Sequence, residues 1–224
     1  MTRPFHAGRC FLLVLLVAAP CFAGGATPPA SIDDYVRALE SSYHDVRALR
    51  AEFTQRHDWG NRTRQESGTV YFARGGLMRW DYREPSAKLF LATSKMLILY
   101  VPAENQVTRS PLKSSEDVRV PFRLLLSRLN LRRVFSKIEF ADGALDAQPG
   151  SRVLRAIPKR AEESGYSEVL MEITPTFDIR RLRVIYLDRS QMEFLFEHIE
   201  RNAPLSPSLF SFTPPQGAEI IDQR

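Results

Sequence analysis

The chain has 224 residues and a formal net charge of +5, with 44% hydrophobic and 25% charged residues. These are ordinary fractions for a globular protein. The mild positive balance comes without a basic block interleaved with aromatics, so it makes no case for a nucleic-acid partner. Residues 1–23 read as a cleaved secretory signal peptide: Arg3 and Arg9 form a positive start, residues 11–19 are apolar but too short to span a bilayer, and Pro20-Cys21-Phe22-Ala23 offers a cleavage site. A rival reading makes Cys21 a lipidation site, although Pro20 stands where a small non-proline residue is expected. Cleavage removes Arg3 and Arg9, which lowers the charge to +3, and removes both cysteines. Residues 24–224, expected to form one domain, then have no disulfide, thiolate ligand or cysteine nucleophile.

A flexible leader with Pro28-Pro29 precedes a predicted helix over residues 32–46. Ser31 is its N-cap, Asp33 and Asp34 occupy its first turn, and Ile32, Tyr35, Val36, Leu39 and Tyr43 form one apolar stripe. From Leu49 the period changes to two. Strands are predicted over residues 49–56 and 62–72, around a turn at Trp59-Gly60-Asn61. Met78, Trp80 and Tyr82 alternate along the next strand, beyond a turn at Ala73-Arg74-Gly75-Gly76 whose glycines supply positive φ. Short strands follow at 88–92, 96–101 and 106–110, then at 137–140, 152–158, 168–174, 179–187 and 192–199. Between the two groups, residues 120–129 have Pro121 at a helix N1 position and a strongly apolar body. They read as a core helix capping the sheet or as a lid over a cavity.

The expected fold is mainly β with some α: an unclosed antiparallel barrel of about eleven strands, taken in consecutive order, with an N-terminal helix and a helical lid. Such a sheet must nearly close to protect its edges. At this size side chains alone do not fill its interior. Phe53, Met78, Trp80, Tyr82, Phe90 and Leu99 form its expected lining. On composition alone they read as an ordinary aromatic core; secretion, the curled sheet and the apolar lid point instead to a carrier of a hydrophobic ligand.

Catalytic signals are missing from the sequence. His44, His57 and His198 lack metal-ligand spacing, and there is no nucleophile elbow, phosphate-binding glycine loop or His-Glu-x-x-His. The expectation is a protein that is not an enzyme and needs no cofactor or metal.

Several strings resemble those of the outer-membrane lipoprotein carrier protein (LolA) family. They are Phe53-Thr54-Gln55, Ser67-Gly68 with Phe72-x-Arg74, Arg79-Trp80-x-Tyr82 with Pro85, and Tyr100-x-Pro102. Asn105-Gln106-Val107-Thr108, Pro121-Phe122 and the closing Phe210-Ser-Phe-Thr-Pro-Pro-Gln-Gly217 continue the series. Two places depart from the family pattern: Gly75-Gly76 where proline follows the arginine, and Thr93-Ser94 in place of an Asp-Gly turn. The resemblance implies a monomeric periplasmic chaperone of lipoprotein cargo. It would take that cargo from an inner-membrane ABC lipoprotein-releasing transporter and give it to an outer-membrane lipoprotein receptor. It implies that Arg74 is a latch holding the lid shut through lid carbonyls, and that Phe53, Met78, Trp80, Tyr82, Phe90, Leu99, Phe122 and Leu125 face the acyl chains. Rival readings are an envelope-stress sensor or lipid-binding regulator of the same fold, a lipid-anchored outer-membrane receptor, and a lipid-modifying hydrolase. The sensors carry a second domain, and the sequence running out soon after Phe-Thr-Pro-Pro is the expectation against them.

Overall fold

A computed structural model describes residues 31–112 and 130–223. The expected signal peptide and the expected lid, with Phe122 and Leu125, lie outside the described residues.

Helix α1 (Ile32–Ser42) starts as its sequence dictates, with the Ser31 hydroxyl accepting from the Asp34 amide at 3.1 Å and Asp33 and Asp34 in the first turn. Tyr35, Val36 and Leu39 are its buried residues. The helix gives way at Tyr43, short of residue 46, because the Tyr43 hydroxyl is anchored across the molecule. It accepts from the Ile179 amide at 3.0 Å, and the chain turns there into the first strand.

The strands are β1 (Ala48–Trp59), β2 (Arg62–Ala73), β3 (Leu77–Glu84), β4 (Lys88–Ala92), β5 (Met96–Val101) and β6 (Gln106–Pro111). Then come a short α2 (Leu131–Val134), β7 (Phe135–Phe140), β8 (Arg152–Pro158), α3 (Ala161–Ser164), β9 (Tyr166–Ile173), β10 (Ile179–Tyr186), β11 (Gln191–Arg201) and β12 (Glu219–Asp222). All twelve form one sheet, in the order β12-β6-β5-β4-β3-β2-β1-β11-β10-β9-β8-β7.

The unclosed, largely antiparallel sheet matches the expected fold class. Two details differ. The first and eleventh strands pair, so the sheet opens between the β12–β6 edge and β7. Among the described residues the count is twelve rather than about eleven, because β12 adds parallel to β6. A parallel partner needs a long connection, and residues 202–218 supply it. They cross the outer face of the sheet, where Arg79 donates to the Leu209 carbonyl at 3.1 Å and Phe212 meets the Tyr100 ring at 5.4 Å between centroids. Four exposed residues without alternation, Glu219 to Asp222, give no strand signal of their own.

The sheet curls strongly. On a flat sheet, three strand steps would separate β3 from β11 by about 14 Å. Yet Trp80 of β3 and Phe194 of β11 have ring centroids 5.4 Å apart. Cross-strand register places Phe53, Phe72, Trp80, Phe194 and Phe196 on this inner face, all buried. Gly68 permits the close packing of β2 on β3 at a register shift. A Cβ there would lie 2.0 Å from the Asp81 carbonyl oxygen. The Phe53 ring, on the residue paired with Gly68, stands edge-on to Tyr82 at 5.0 Å.

Candidate functional site

A partly open cavity of about 230 Å³ lies on the inner face. It exceeds the roughly 150 Å³ apolar cavities that take benzene-sized ligands. Trp80, Phe90, Leu99, Val184, Met192 and Phe194 supply its apolar wall. They come from β3, β4, β5, β10 and β11, and the curl brings them together. Gln55, Tyr82, Lys88 and Tyr186 also line it.

Gln55, Tyr82 and Lys88 form a compact network with Glu66 and Arg64. Tyr82 donates from its hydroxyl to the Gln55 side-chain oxygen at 2.8 Å. Burial, and secondarily the Glu66 carboxylate, push the Tyr82 phenol well above its ordinary range, so it stays protonated and remains a donor. Glu66 is only 4% exposed. A carboxylate that buried requires partners, and it accepts from Lys88 at 2.7 Å and Arg64 at 2.8 Å. The Lys88 ammonium also lies 4.1 Å from the centre of the Tyr82 ring.

At the opposite end of the inner face, two arginines hold the last turn of α1 and the link to β1. Arg74 donates from Nη2 to the His44 carbonyl at 2.5 Å and from Nε to the Val46 carbonyl at 3.3 Å. Its own amide donates to the Arg47 carbonyl at 3.0 Å. Gly75 and Gly76, with φ of +88° and +76°, turn the chain directly after it. From β11, Arg201 donates to the Ser42 carbonyl at 3.1 Å and pairs with Asp178 at 2.7 Å. The planar donor fork of arginine suits such carbonyl clusters.

Of the residues singled out in the sequence, the structure brings Trp80, Tyr82, Phe90 and Leu99 together around the cavity. Phe53 and Met78 are buried in the adjoining core without lining it. Met78 pairs with Phe72 and Ala92, towards the α1 end, whereas the cavity lies towards the Tyr82–Lys88 end. Arg74 bonds to the segment between α1 and β1. Sequence reasoning missed Gln55, Lys88, Val184, Tyr186, Met192 and Phe194. Lys88 alternates with Phe90 and so was legible by period two. The others depend on β11 pairing with β1, which sets Gln55 opposite Phe194 across more than a hundred residues of chain.

Residues 44–213 match the family model described as outer membrane lipoprotein carrier protein LolA. The chain belongs to this family. An outer-membrane lipoprotein carrier protein of Nitrosomonas europaea is 30% identical over 213 residues, covering 94% of this chain and 98% of that one. The protein of the same name from Dechloromonas aromatica is 27% identical over 218 residues, covering 96% and 100%. An uncharacterized conserved protein from Thermus thermophilus shares the fold with a TM-score of 0.53 at 12% identity, covering 86% of this chain and 100% of that one. Within the LolA-family fold, the closing Phe-Thr-Pro-Pro string is part of the outer strap. Its Phe212 meets Tyr100 of the Tyr-x-Pro string, so two of the sequence signatures are one contact.

Proposed function

We propose that this protein is a periplasmic carrier that holds acyl chains of lipoproteins against the aromatic inner face of its sheet. It receives them from an inner-membrane ABC transporter and delivers them to an outer-membrane receptor, acting by binding alone. The observation that supports this most is the cavity walled by Trp80, Phe90, Leu99 and Phe194 on the inner face of an unclosed sheet. An acyl chain leaving a membrane loses about 0.8 kcal/mol per methylene unless another apolar surface replaces the lipid. A wall of aromatic rings offers that replacement. Release requires that binding be modest, and a partly open cavity meets that need better than a sealed one.

Arg74 is proposed as the latch. Its bonds to the His44 and Val46 carbonyls favour the arrangement in which α1 is drawn onto the sheet. Cargo that displaces α1 breaks those bonds, and their re-formation favours release. The test is addition of the purified protein to spheroplasts in excess over the bound cargo. Lipoproteins appearing in the supernatant as complexes with the carrier are the expected result. Lipoproteins that stay on the membrane would contradict the reading.

A further inference from the structure

We propose that the Lys88 end of the cavity is a head-group subsite. It takes the oxygen-bearing end of a single acyl chain, a carboxylate or an acyl carbonyl, while the hydrocarbon lies along Trp80, Phe90 and Leu99. This rests on the acyl-binding reading above and adds to it a polarity and an orientation.

Three observations carry it. First, the lining changes character along β3 and β4, where the Trp80–Phe90 pair is followed by the Tyr82–Lys88 pair. Trp80, Phe90, Leu99 and Phe194 are apolar, whereas Gln55, Tyr82 and Lys88 bring polar atoms to the same cavity. A site for hydrocarbon alone gains nothing from an ammonium group in its wall, because a charge near low-dielectric surroundings is costly. Second, the charges do not cancel. Glu66 is one carboxylate between two cations, Arg64 and Lys88, and this leaves a surplus positive charge beside the cavity. Third, donors remain available in number. Lys88 carries three N–H groups, of which one is directed to Glu66. Gln55 receives the Tyr82 hydroxyl on its oxygen, and among the described residues its amide NH2 is left as a donor group. Acceptor oxygens on the ligand complement this set, and an anionic one complements it best.

Glu66 has a positioning role in this arrangement. It fixes the Lys88 ammonium over the Tyr82 ring at the cavity wall, and Arg64 donates to the same carboxylate oxygen, Oε1.

The experiment measures displacement of a neutral naphthylamine probe by four ligands of matched chain length: oleate, methyl oleate, oleyl alcohol and an N-oleoyl peptide. Wild type is compared with Lys88→Met and with the charge-balanced double variant Glu66→Gln/Lys88→Met. The second guards against misfolding from an unpaired Glu66. The expected result is that wild type prefers oleate over oleyl alcohol by about tenfold, the scale of one charge-assisted hydrogen bond. The double variant loses that ratio, as does Lys88→Met where it folds. A ratio that is the same in wild type and the folded double variant overturns the subsite. If no acyl ligand displaces the probe from wild type, both the subsite and the acyl-binding reading fall. Methyl oleate and the N-oleoyl peptide separate the two sources of the head group. Loss of preference confined to oleate assigns the subsite to free fatty acids. Loss that extends to the peptide assigns it to acylated protein. An unchanged preference for every ligand overturns both.

Discussion

Arg74 donates from its guanidinium to the His44 carbonyl at 2.5 Å, and so ties the β2–β3 turn to the segment that leaves α1. The two stretches are neighbours, since Ala48 pairs with Ala73 where β1 and β2 meet, and a second donor, to Val46, fixes the guanidinium plane. In the proposed latch these contacts are kept while α1 stays drawn onto the sheet and are given up when cargo displaces it.

Replacing Arg74 by leucine is therefore expected to favour the loaded state. A ligand shifts a two-state equilibrium by its differential affinity, and removing bonds made only in the empty state raises apparent affinity for cargo. Charge-assisted bonds to carbonyls correspond to about a tenfold change. Arg74→Leu should load lipoprotein at least as well as wild type and transfer it to receptor-bearing membranes about tenfold less. Arg74→Lys, which keeps the charge but loses the fork, should fall between them. Normal transfer by Arg74→Leu, measured by lipoprotein recovered in the acceptor membrane, removes the latch.

Gly68 faces the Asp81 backbone so closely that no Cβ fits. Gly68→Ala must push β2 and β3 apart beneath the Phe53 and Tyr82 rings. Overpacking of this kind costs about 1–3 kcal/mol. A lower urea midpoint with an unchanged slope is expected; an unchanged midpoint would show that the strands yield without cost.

Glu66 and Lys88 should be energetically coupled. Lys88→Met leaves a carboxylate that is 4% exposed with Arg64 as its remaining cation. Removing one partner of a buried pair costs about 3–5 kcal/mol, whereas removing both is often far milder. Lys88 is itself 19% exposed in its side chain, so the lower end of that range applies. The double variant Glu66→Gln/Lys88→Met should recover at least about 1 kcal/mol of the single variant's loss. Additive losses in the two single variants would mean the pair is decoupled by solvent.

Stability should fall at alkaline pH. Burial pushes the Tyr43 phenol up to about 12, against an ordinary 10.0. Tyr35 and Tyr166 are pushed to about 12 for the same reason. Each folded-state value lies above the unfolded one, so the unfolded chain loses its protons first. The contribution is complete below pH 10 and is lost as pH rises towards 12, at most about 3 kcal/mol per group. Urea unfolding between pH 8 and 12 reads this directly, and Tyr43→Phe should flatten the decline. A stability constant through pH 12 would contradict the burial of these hydroxyls.

The first eleven strands were legible because most of them carry apolar residues at period two, as β1, β3 and β8 do, between turn residues. The pairing of β1 with β11 was not, since the partners Phe53 and Phe196 are joined by long-range closure rather than by a turn. That one pairing moves the opening of the sheet to the β6–β7 side and puts Met192 and Phe194 in the cavity wall. β12 was hidden because its strand character comes from the β6 edge it meets and not from its own residues. Within the candidate site, the alternating triplet of β3 announced Trp80 and Tyr82, but alternation alone does not say how far along a face a cavity extends. Met78 shares their face and is nevertheless sealed in the core. Glu66 lies in a run of polar residues, Arg62 to Ser67, that reads as solvent-exposed, and its burial follows from Lys88 and Arg64 folding over it.

The chain has two tryptophans, Trp59 at the β1–β2 turn and Trp80 in the cavity wall. A Trp59→Phe variant therefore makes Trp80 a single reporter of what occupies the inner face. An N-acylated peptide with a dibrominated chain should quench Trp80 emission on binding, and the same peptide with a plain chain should not. Equal emission with the two peptides, at concentrations where both are bound, would mean that acyl chains do not lie against this wall.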